Sequence, residues 1–225
     1  METHHRPRNV DWKRAAAILY GDWGTSKAYV IGLAFVAAGY GSLPIILAIG
    51  LLTAVVGYNY TVVCRHFPDG GGVYSAARGQ SRLLASLGAL LLAANFMVTA
   101  ALSGWAAVSY LGVPEAQIPI ATALLIAVVG ALNFFGPKHS GSVSIWLALP
   151  AVAVVVLILL FAAPHFTLRY AEAPPGGARE IWVAFVGVIL ALSGVEAVAN
   201  LTGVMKLDPG ATLDKPRVGK TATKS

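Results

Sequence analysis

Charged residues are scarce in this sequence. Lys, Arg, Asp and Glu make up 12% of its 225 residues, about half the share of about 25% that is typical of a soluble domain. Hydrophobic residues reach 57% and the mean hydropathy is +0.71. Several apolar stretches also exceed the roughly 18 residues that indicate a transmembrane helix. These values exclude a soluble globular protein and predict an integral membrane protein whose main partner is the lipid bilayer.

Cysteine and the common catalytic motifs are also nearly absent. Cys64 is the single cysteine, so no internal disulfide can form. The sequence has no G-x-x-x-x-G-K-[ST] phosphate loop and no G-x-S-x-G nucleophile elbow, which argues against ATP-driven pumping and against hydrolysis. The histidines lack the spacing of metal ligands: His4, His5, His66, His139 and His165. We therefore expect no enzyme, no cofactor, and no metal beyond a monovalent cation.

The basic residues report membrane orientation rather than nucleic-acid binding. The formal net charge is +6, and 13 of the 16 Lys and Arg residues fall in alternate loops and in the two tails. Such a distribution places those segments on the cytoplasmic side of a membrane. We expect a multi-pass protein of the cell (inner) membrane with a cytoplasmic N-terminus and no nucleic-acid partner.

Six membrane spans are predicted from hydropathy. A cytoplasmic tail, 1–14, precedes the membrane domain, 15–205, and a polar segment, 206–225, follows as a cytoplasmic tail or as the start of a further loop. Because that last segment has two prolines and no apolar period, we expect it to be disordered when it stands alone. The predicted spans are 15–40, 43–63, 83–111, 118–135, 143–161 and 181–205.

Two acidic residues lie inside predicted spans, and each stands near a glycine. Asp22 is in the first span and Glu196 is in the sixth. A carboxylate in the bilayer centre costs roughly 2.5–3.5 kcal/mol on insertion scales, and it usually marks a path for an ion or a substrate. A structural pair, such as Asp22 with Lys27, is the alternative for the first span.

The same two spans carry residues that weaken a helix. In "GDWGTS" these are Gly21, Gly24, Thr25 and Ser26, and in "LSGVEAVANLTG" it is Gly194. A broken helix frees N–H groups at one half-helix end and carbonyl groups at the other, and these groups can bind ions. We expect both helices to be discontinuous there, with Asp22 and Glu196 facing a shared cavity.

A row of polar residues marks the third span. Asn95, Thr99 and Ser103 follow one another at a spacing of four, which places them on one helix face. Two roles are consistent with this face. It binds a substrate, or it forms hydrogen bonds to another helix, as such side chains often do in membrane proteins.

Three of these segments resemble known transporters. "YGDWGTSKAYV" resembles the first-helix signature Y-G-D-x-G-T-S-P-x-Y of the KUP/KimA potassium-uptake group. "FPDGGGVYSAARG" and "LSGVEAVAN" resemble the connection between helices two and three and the sixth-helix break of the amino acid–polyamine–organocation (APC) superfamily. The resemblance implies an all-α membrane protein with the LeuT-type fold of two inverted five-helix repeats, in which helices one and six are discontinuous.

The resemblance also implies a set of substrate or ion ligands. They would be Asp22, Tyr29, Asn95, Thr99, Ser103, Ser193 and Glu196. Three positions depart from the family pattern. Asn95 stands where that pattern has an aspartate, Ser193 replaces a threonine, and Lys27 replaces a proline. The first and last changes make the site more positive, which favours a substrate that carries a carboxylate over potassium.

Length is a further departure, because the family has about ten to twelve spans. The resemblance implies one five-helix repeat plus helix six, and hence an incomplete transporter. From it we expect a secondary active permease, coupled to protons as a symporter, for amino acids or potassium. The alternatives are a truncated fragment that does not transport and a membrane scaffold or sensor; a homodimer is also open.

Overall fold

Helices are the main secondary structure of the described residues, joined by turns and loops and accompanied by one isolated bridge between Val10 and Met205. The computed structural model describes residues 7–189 and 194–225, and for residues 23 and 25–29 it describes the backbone alone. Within these residues the all-α prediction is confirmed. The helices are α1 (Trp12–Leu19), α2 (Thr25–Ala38), α3 (Ser42–His66), α4 (Gly72–Arg78), α5 (Arg82–Tyr110), α6 (Ile118–Asn133), α7 (Pro137–Ala162), α8 (Ala178–Val188), α9 (Ala197–Leu201) and α10 (Gly219–Lys224).

A carboxylate caps the beginning of α1. Asp11 accepts a hydrogen bond from the backbone N–H of Arg14 at 3.0 Å and pairs with the Arg14 guanidinium. Partial burial acts to raise the pKa of Asp11, but the hydrogen bond and the nearby positive charges outweigh it and hold the pKa below its ordinary value. Arg14 also donates from Nε to Ser142 Oγ at 3.0 Å, which ties α1 to α7.

The backbone hydrogen-bonding pattern changes within the first span, but the span stays helical. Tyr20–Gly24 forms a π-helical turn that joins α1 to α2 directly. Thr25 and Ser26 lie in the first turn of α2, so the expected break at these two residues is wrong. The interruption is instead a π turn at Gly21, Asp22 and Gly24. Such turns keep the backbone hydrogen-bonded while they insert a residue, which explains how a helix-weakening sequence stays helical.

Four helical stretches in the described residues are long and apolar enough to cross a membrane. They are Val30–His66, Arg82–Tyr110, Glu115–Asn133 and Pro137–His165. The first includes most of α2 and all of α3, which meet at the short turn Gly39–Gly41. Large apolar side chains cover the outside of these helices, as expected for a surface that faces lipid. The chain is therefore a multi-pass membrane protein, and the number of six spans stays a prediction.

The C-terminal segment, which we expect to be disordered when it stands alone, is ordered against other helices of the chain. Val218, the residue before α10, is fully buried, and Ala222, one turn later on α10, is nearly so. The helix α10 packs against α3 and α1. Asp208 accepts hydrogen bonds from the backbone N–H groups of Lys220 and Thr221 at 2.9 and 3.0 Å. Two buried apolar side chains and one capping carboxylate hold the segment, and this pattern is too short to stand out in a polar sequence.

Two buried clusters hold the helices together. The first, which we call the Cys64 core, joins the N-terminal segment, α1, α3, α9 and α10; it comprises Val10, Ala15, Cys64, Val198, Ala199, Met205, Val218 and Ala222. The second joins α2, α3 and α8 through Val30, Ala34, Ala38, Ile45, Ile49 and Val188. Elsewhere α5 packs between α4 and α6, and α1 packs against α7. The first cluster lies next to the candidate site.

Candidate functional site

Glu196 lies in a turn of the backbone within the sixth predicted span. Gly194 has φ +100°, a value that favours glycine because it has no Cβ. A turn over 194–196 then leads into α9. The backbone N–H of Gly194 donates to Glu196 Oε2 at 3.1 Å. The turn therefore supplies one of the donors that hold the carboxylate.

The third span supplies a second donor. Asn95 Nδ2 donates to Glu196 Oε1 at 3.2 Å, a contact that joins residues 101 positions apart in the chain. Both Glu196 oxygens thus accept a hydrogen bond, one from a side-chain amide and one from the backbone. The structure brings together these two of the residues that the sequence pointed to.

The rest of the polar row on α5 also faces the interior. Thr99 is buried and Ser103 is half-buried, while Met97 and Val98 between them are exposed. A spacing of four along a helix keeps Asn95, Thr99 and Ser103 on one face, and that face is turned toward the other helices.

Asp22 occupies the middle of the π turn. Its residue is half-buried, and the Oδ1 atom of its carboxylate is out of contact with solvent. The turn packs against α1, α2 and α7. The side chains of Tyr29 and Lys27 lie outside the described residues, as does the whole of Ser193, so their predicted roles and the alternative Asp22–Lys27 pair stay predictions.

A cavity of about 590 Å³ lies between α2, α3 and the sixth span. Its walls are mostly apolar, with Gly194 at one point, and neither Asp22 nor Glu196 lines it. The expected cavity shared by the two carboxylates does not correspond to this one. Hydrogen bonds from Asn95 and Gly194 direct the Glu196 carboxylate toward α5 instead.

The sequence is similar to those of known transport proteins. A family model described as "Amino acid permease" matches residues 10–220. The chain belongs to the amino acid permease family. This membership confirms the resemblance to the APC superfamily. No solved structure matches the chain.

One curated relative of this permease is the "Potassium transporter KimA" of Bacillus subtilis (strain 168). The two are 27% identical over an alignment of 225 positions, which covers 87% of this chain and 36% of the relative. The permease chain therefore spans little more than a third of the length of the curated relative it matches.

Sequence reasoning missed three residues around the site. Tyr60 on α3 lies within electrostatic range of the Glu196 carboxylate. Asn200 lies one turn after Glu196, and its Oδ1 would be 2.8 Å from a Cβ at Gly72. Arg8 contacts the residue at the end of α9. The spacing of four between Glu196 and Asn200 was visible in the sequence, whereas nothing in a basic tail distinguishes Arg8.

The arrangement in this permease suits a proton or a small monovalent cation. A carboxylate inside a membrane protein needs a partner for its charge, and in the part of the chain that the structure describes two N–H groups donate to Glu196. Within residues 7–189 and 194–225, no group of three His, Cys, Asp or Glu side chains is placed to hold a metal ion. The chemistry available is hydrogen bonding, charge and a change in protonation.

Proposed function

We propose that this permease is a secondary active transporter that couples a small substrate to protons, with Glu196 as the coupling carboxylate. One observation carries the proposal: Glu196 accepts hydrogen bonds from Asn95 on α5 and from Gly194 at the turn of the sixth span. A single ionisable group thereby connects two helices at an irregular point of the backbone, and such points in transporters lie at substrate and ion sites.

The link between protonation and helix position follows from hydrogen-bond chemistry. An ionised carboxylate is a strong acceptor, and hydrogen bonds to it are roughly twice as strong as neutral ones. A proton on Glu196 weakens its bonds to Asn95 Nδ2 and Gly194 N–H. Proton binding therefore loosens the contact between α5 and the sixth span, and loss of the proton restores it.

The substrate that we propose is an amino acid, with potassium as the second candidate. The family name, and Asn95 at a position where the group pattern has an aspartate, favour a substrate that brings its own carboxylate. Potassium is favoured by the two carboxylates within the spans, Asp22 and Glu196, and by the similarity to the potassium transporter KimA.

Uptake by cells that carry the native gene tests this function. Radiolabelled rubidium and a mixture of radiolabelled amino acids would be offered at neutral pH and at pH 5.5. We expect Glu196→Gln to reduce uptake of the transported substrate by more than about tenfold, since removal of a hydrogen bond to a charged group alone costs about 1.5–3 kcal/mol.

Glu172→Gln is the matched control, because Glu172 lies exposed in a loop. It should transport like the wild type. Uptake by Glu196→Gln equal to that of the wild type would contradict the proposal. Correct membrane insertion without uptake of either substrate would instead support the scaffold or sensor alternative.

A further inference from the structure

Arg8 holds two distant parts of the chain together next to the candidate site. Its Nη1 donates to the carbonyl oxygens of Pro68 and Thr202, at 3.1 and 3.0 Å. Its Nη2 pairs with Asp69 at 2.7 Å. The side chain is only 11% exposed. The guanidinium thus connects the loop between α3 and α4 to the residue that ends α9.

The backbone next to Arg8 pairs with the same end of the sixth span. The N–H of Val10 donates to the carbonyl of Val204 at 3.1 Å, and the N–H of Lys206 donates to the carbonyl of Val10 at 2.8 Å. The Val10 side chain is fully buried. We call residues 8–10 the N-terminal strap, because they cross the end of the sixth span and fasten it.

The loop after α3 fits closely against this end. A Cβ on Gly203 would lie 2.6 Å from the Asp69 carbonyl oxygen, a distance that real side chains essentially never adopt. Thr202 is fully buried, and its hydroxyl donates to the Phe67 carbonyl at 3.0 Å. The end of α9 is therefore fixed by the strap on one side and by the loop on the other.

Fixing Thr202 also determines where Glu196 lies. Glu196 is the residue before α9 and Thr202 is the residue after it. Six residues of helix span about 9 Å, and a helix this short has no room to bend.

We propose that the N-terminal strap is a positioning device for Glu196. It holds α9 where Glu196 meets Asn95, and its release displaces Glu196 and opens this end of the bundle. Arg8 acts through the backbone of Thr202 and does not itself touch the carboxylate.

A natural reporter lies beneath the strap. Cys64 is fully buried in the Cys64 core, in one cluster with Val10 and Met205. Because it is the only cysteine of the chain, its alkylation by N-ethylmaleimide measures how often the strap opens. The rate can be followed by mass spectrometry of the purified full chain and needs no transport assay, so it is independent of the proposed function.

We expect Arg8→Ala to raise the alkylation rate of Cys64 at least about tenfold, because it removes charge-assisted hydrogen bonds from a nearly buried group. Arg8→Lys should give an intermediate rate, since an ammonium lacks the planar fork that reaches both carbonyls and Asp69. Asp69→Asn should stay near the wild type, because the Asp69 side chain is 78% exposed. Arg82→Ala, at an exposed arginine of α5, is the matched control and should not change the rate.

A second measurement tests whether the strap positions Glu196 or only shields the Cys64 core from solvent. A hydrophobic carbodiimide labels carboxyl groups within membrane proteins, and peptide mass spectrometry can compare Glu196 with Asp22 as an internal reference. We expect Arg8→Ala to raise labelling of Glu196 several-fold relative to Asp22. An unchanged ratio would overturn the proposal. So would a wild-type alkylation rate in Arg8→Ala, or a fast rate accompanied by loss of helical content.

Discussion

Glu196 shows, at the scale of single residues, how neutral hydrogen-bond donors hold a carboxylate inside a membrane protein. One of its hydrogen-bond donors is a backbone N–H and the other is the neutral amide of Asn95. The amide can present either its NH₂ or its oxygen to a neighbour. Asn95 can therefore donate a strong hydrogen bond to an ionised Glu196 and accept only a weaker, neutral one from a protonated Glu196.

Replacement of Asn95 by aspartate should convert this contact into a cation site. Two carboxylates within hydrogen-bond distance cannot both stay ionised unless a proton or cation neutralises them. A charge about 4 Å from a monovalent cation contributes roughly 4 kcal/mol at an effective dielectric constant near 20. We expect Asn95→Asp to raise rubidium affinity at least about tenfold at pH 7.5, and much less at pH 5 because protons compete. Equilibrium binding of radiolabelled rubidium to the purified protein measures both.

Asn133→Asp provides the control for this substitution. Asn133 is exposed at the end of α6, where its Nδ2 donates to the carbonyl of Val129. The same chemical change there should leave rubidium binding unaltered. Equal gains in both variants, or no gain in Asn95→Asp at neutral pH, would contradict the prediction.

The residues of the site differ in how far sequence alone can find them. Glu196 was recognisable because a charge in an apolar span is costly, and Asn95 because polar residues recur every four positions. The contact between them joins residues 101 positions apart, so only packing of the third span against the sixth could reveal it. Arg8 could not be found, because its partners are mainly backbone carbonyls, and any residue supplies a carbonyl.

At the scale of elements, the contact between the α3–α4 region and the end of α9 depends on glycine. Gly203 sits where any side chain would collide with the Asp69 carbonyl, while Gly72 faces Asn200 at similarly short range. The sequence "FPDGGG" predicted a cytoplasmic connection. Its role as a close-fitting partner of α9 could not be predicted, since the fit depends on distances in three dimensions.

Gly203→Ala should destabilise this junction. The added methyl group needs space now filled by the Asp69 carbonyl oxygen, at 2.6 Å from the Cβ position. Inserting a methyl group into a close-packed region typically costs about 1–3 kcal/mol. We expect a lower midpoint of thermal unfolding in detergent.

Gly79→Ala is the matched control for the glycine prediction. A Cβ at Gly79 meets nothing within 4 Å, and the backbone has φ −67°, which alanine adopts freely. This variant should be as stable as the wild type or slightly more stable. If Gly203→Ala unfolds at the same temperature as Gly79→Ala, the close contact is not important for stability.

At the scale of the whole molecule, the long apolar helices could be predicted well from hydropathy alone. The helices α3, α5, α6 and α7 correspond to the predicted spans 43–63, 83–111, 118–135 and 143–161, because exposure to lipid demands runs of apolar residues. The C-terminal segment was predicted to be disordered alone, and its order within the chain could not be predicted. Its order depends on the burial of Val218 and Ala222 against distant helices, which local composition does not report.

Membrane orientation gives a prediction at the same scale. The distribution of basic residues predicts that the N-terminal segment and residues 206–225 lie in the cytoplasm and that the loop around Ala171 lies outside. Single cysteines would be introduced at Ala171 and Lys224, both exposed, in a Cys64→Ala background. A membrane-impermeant maleimide should label Ala171→Cys on intact cells and Lys224→Cys only after permeabilisation. Labelling of Lys224→Cys from outside would show that the orientation is wrong.

The π-helical turn at Tyr20–Gly24 determines which faces of α1 and α2 point in the same direction. One inserted residue rotates all that follows by about 100° around the helix axis. The part before the turn packs against α7, and the part after it packs against α8 and α3. Without this rotation, the helix face that contacts α7 before the turn would point in the same direction after it. The residues of α2 that now contact α8 and α3 would then face away from these helices. A single residue of extra length thus lets one continuous helix present different faces to neighbours on different sides.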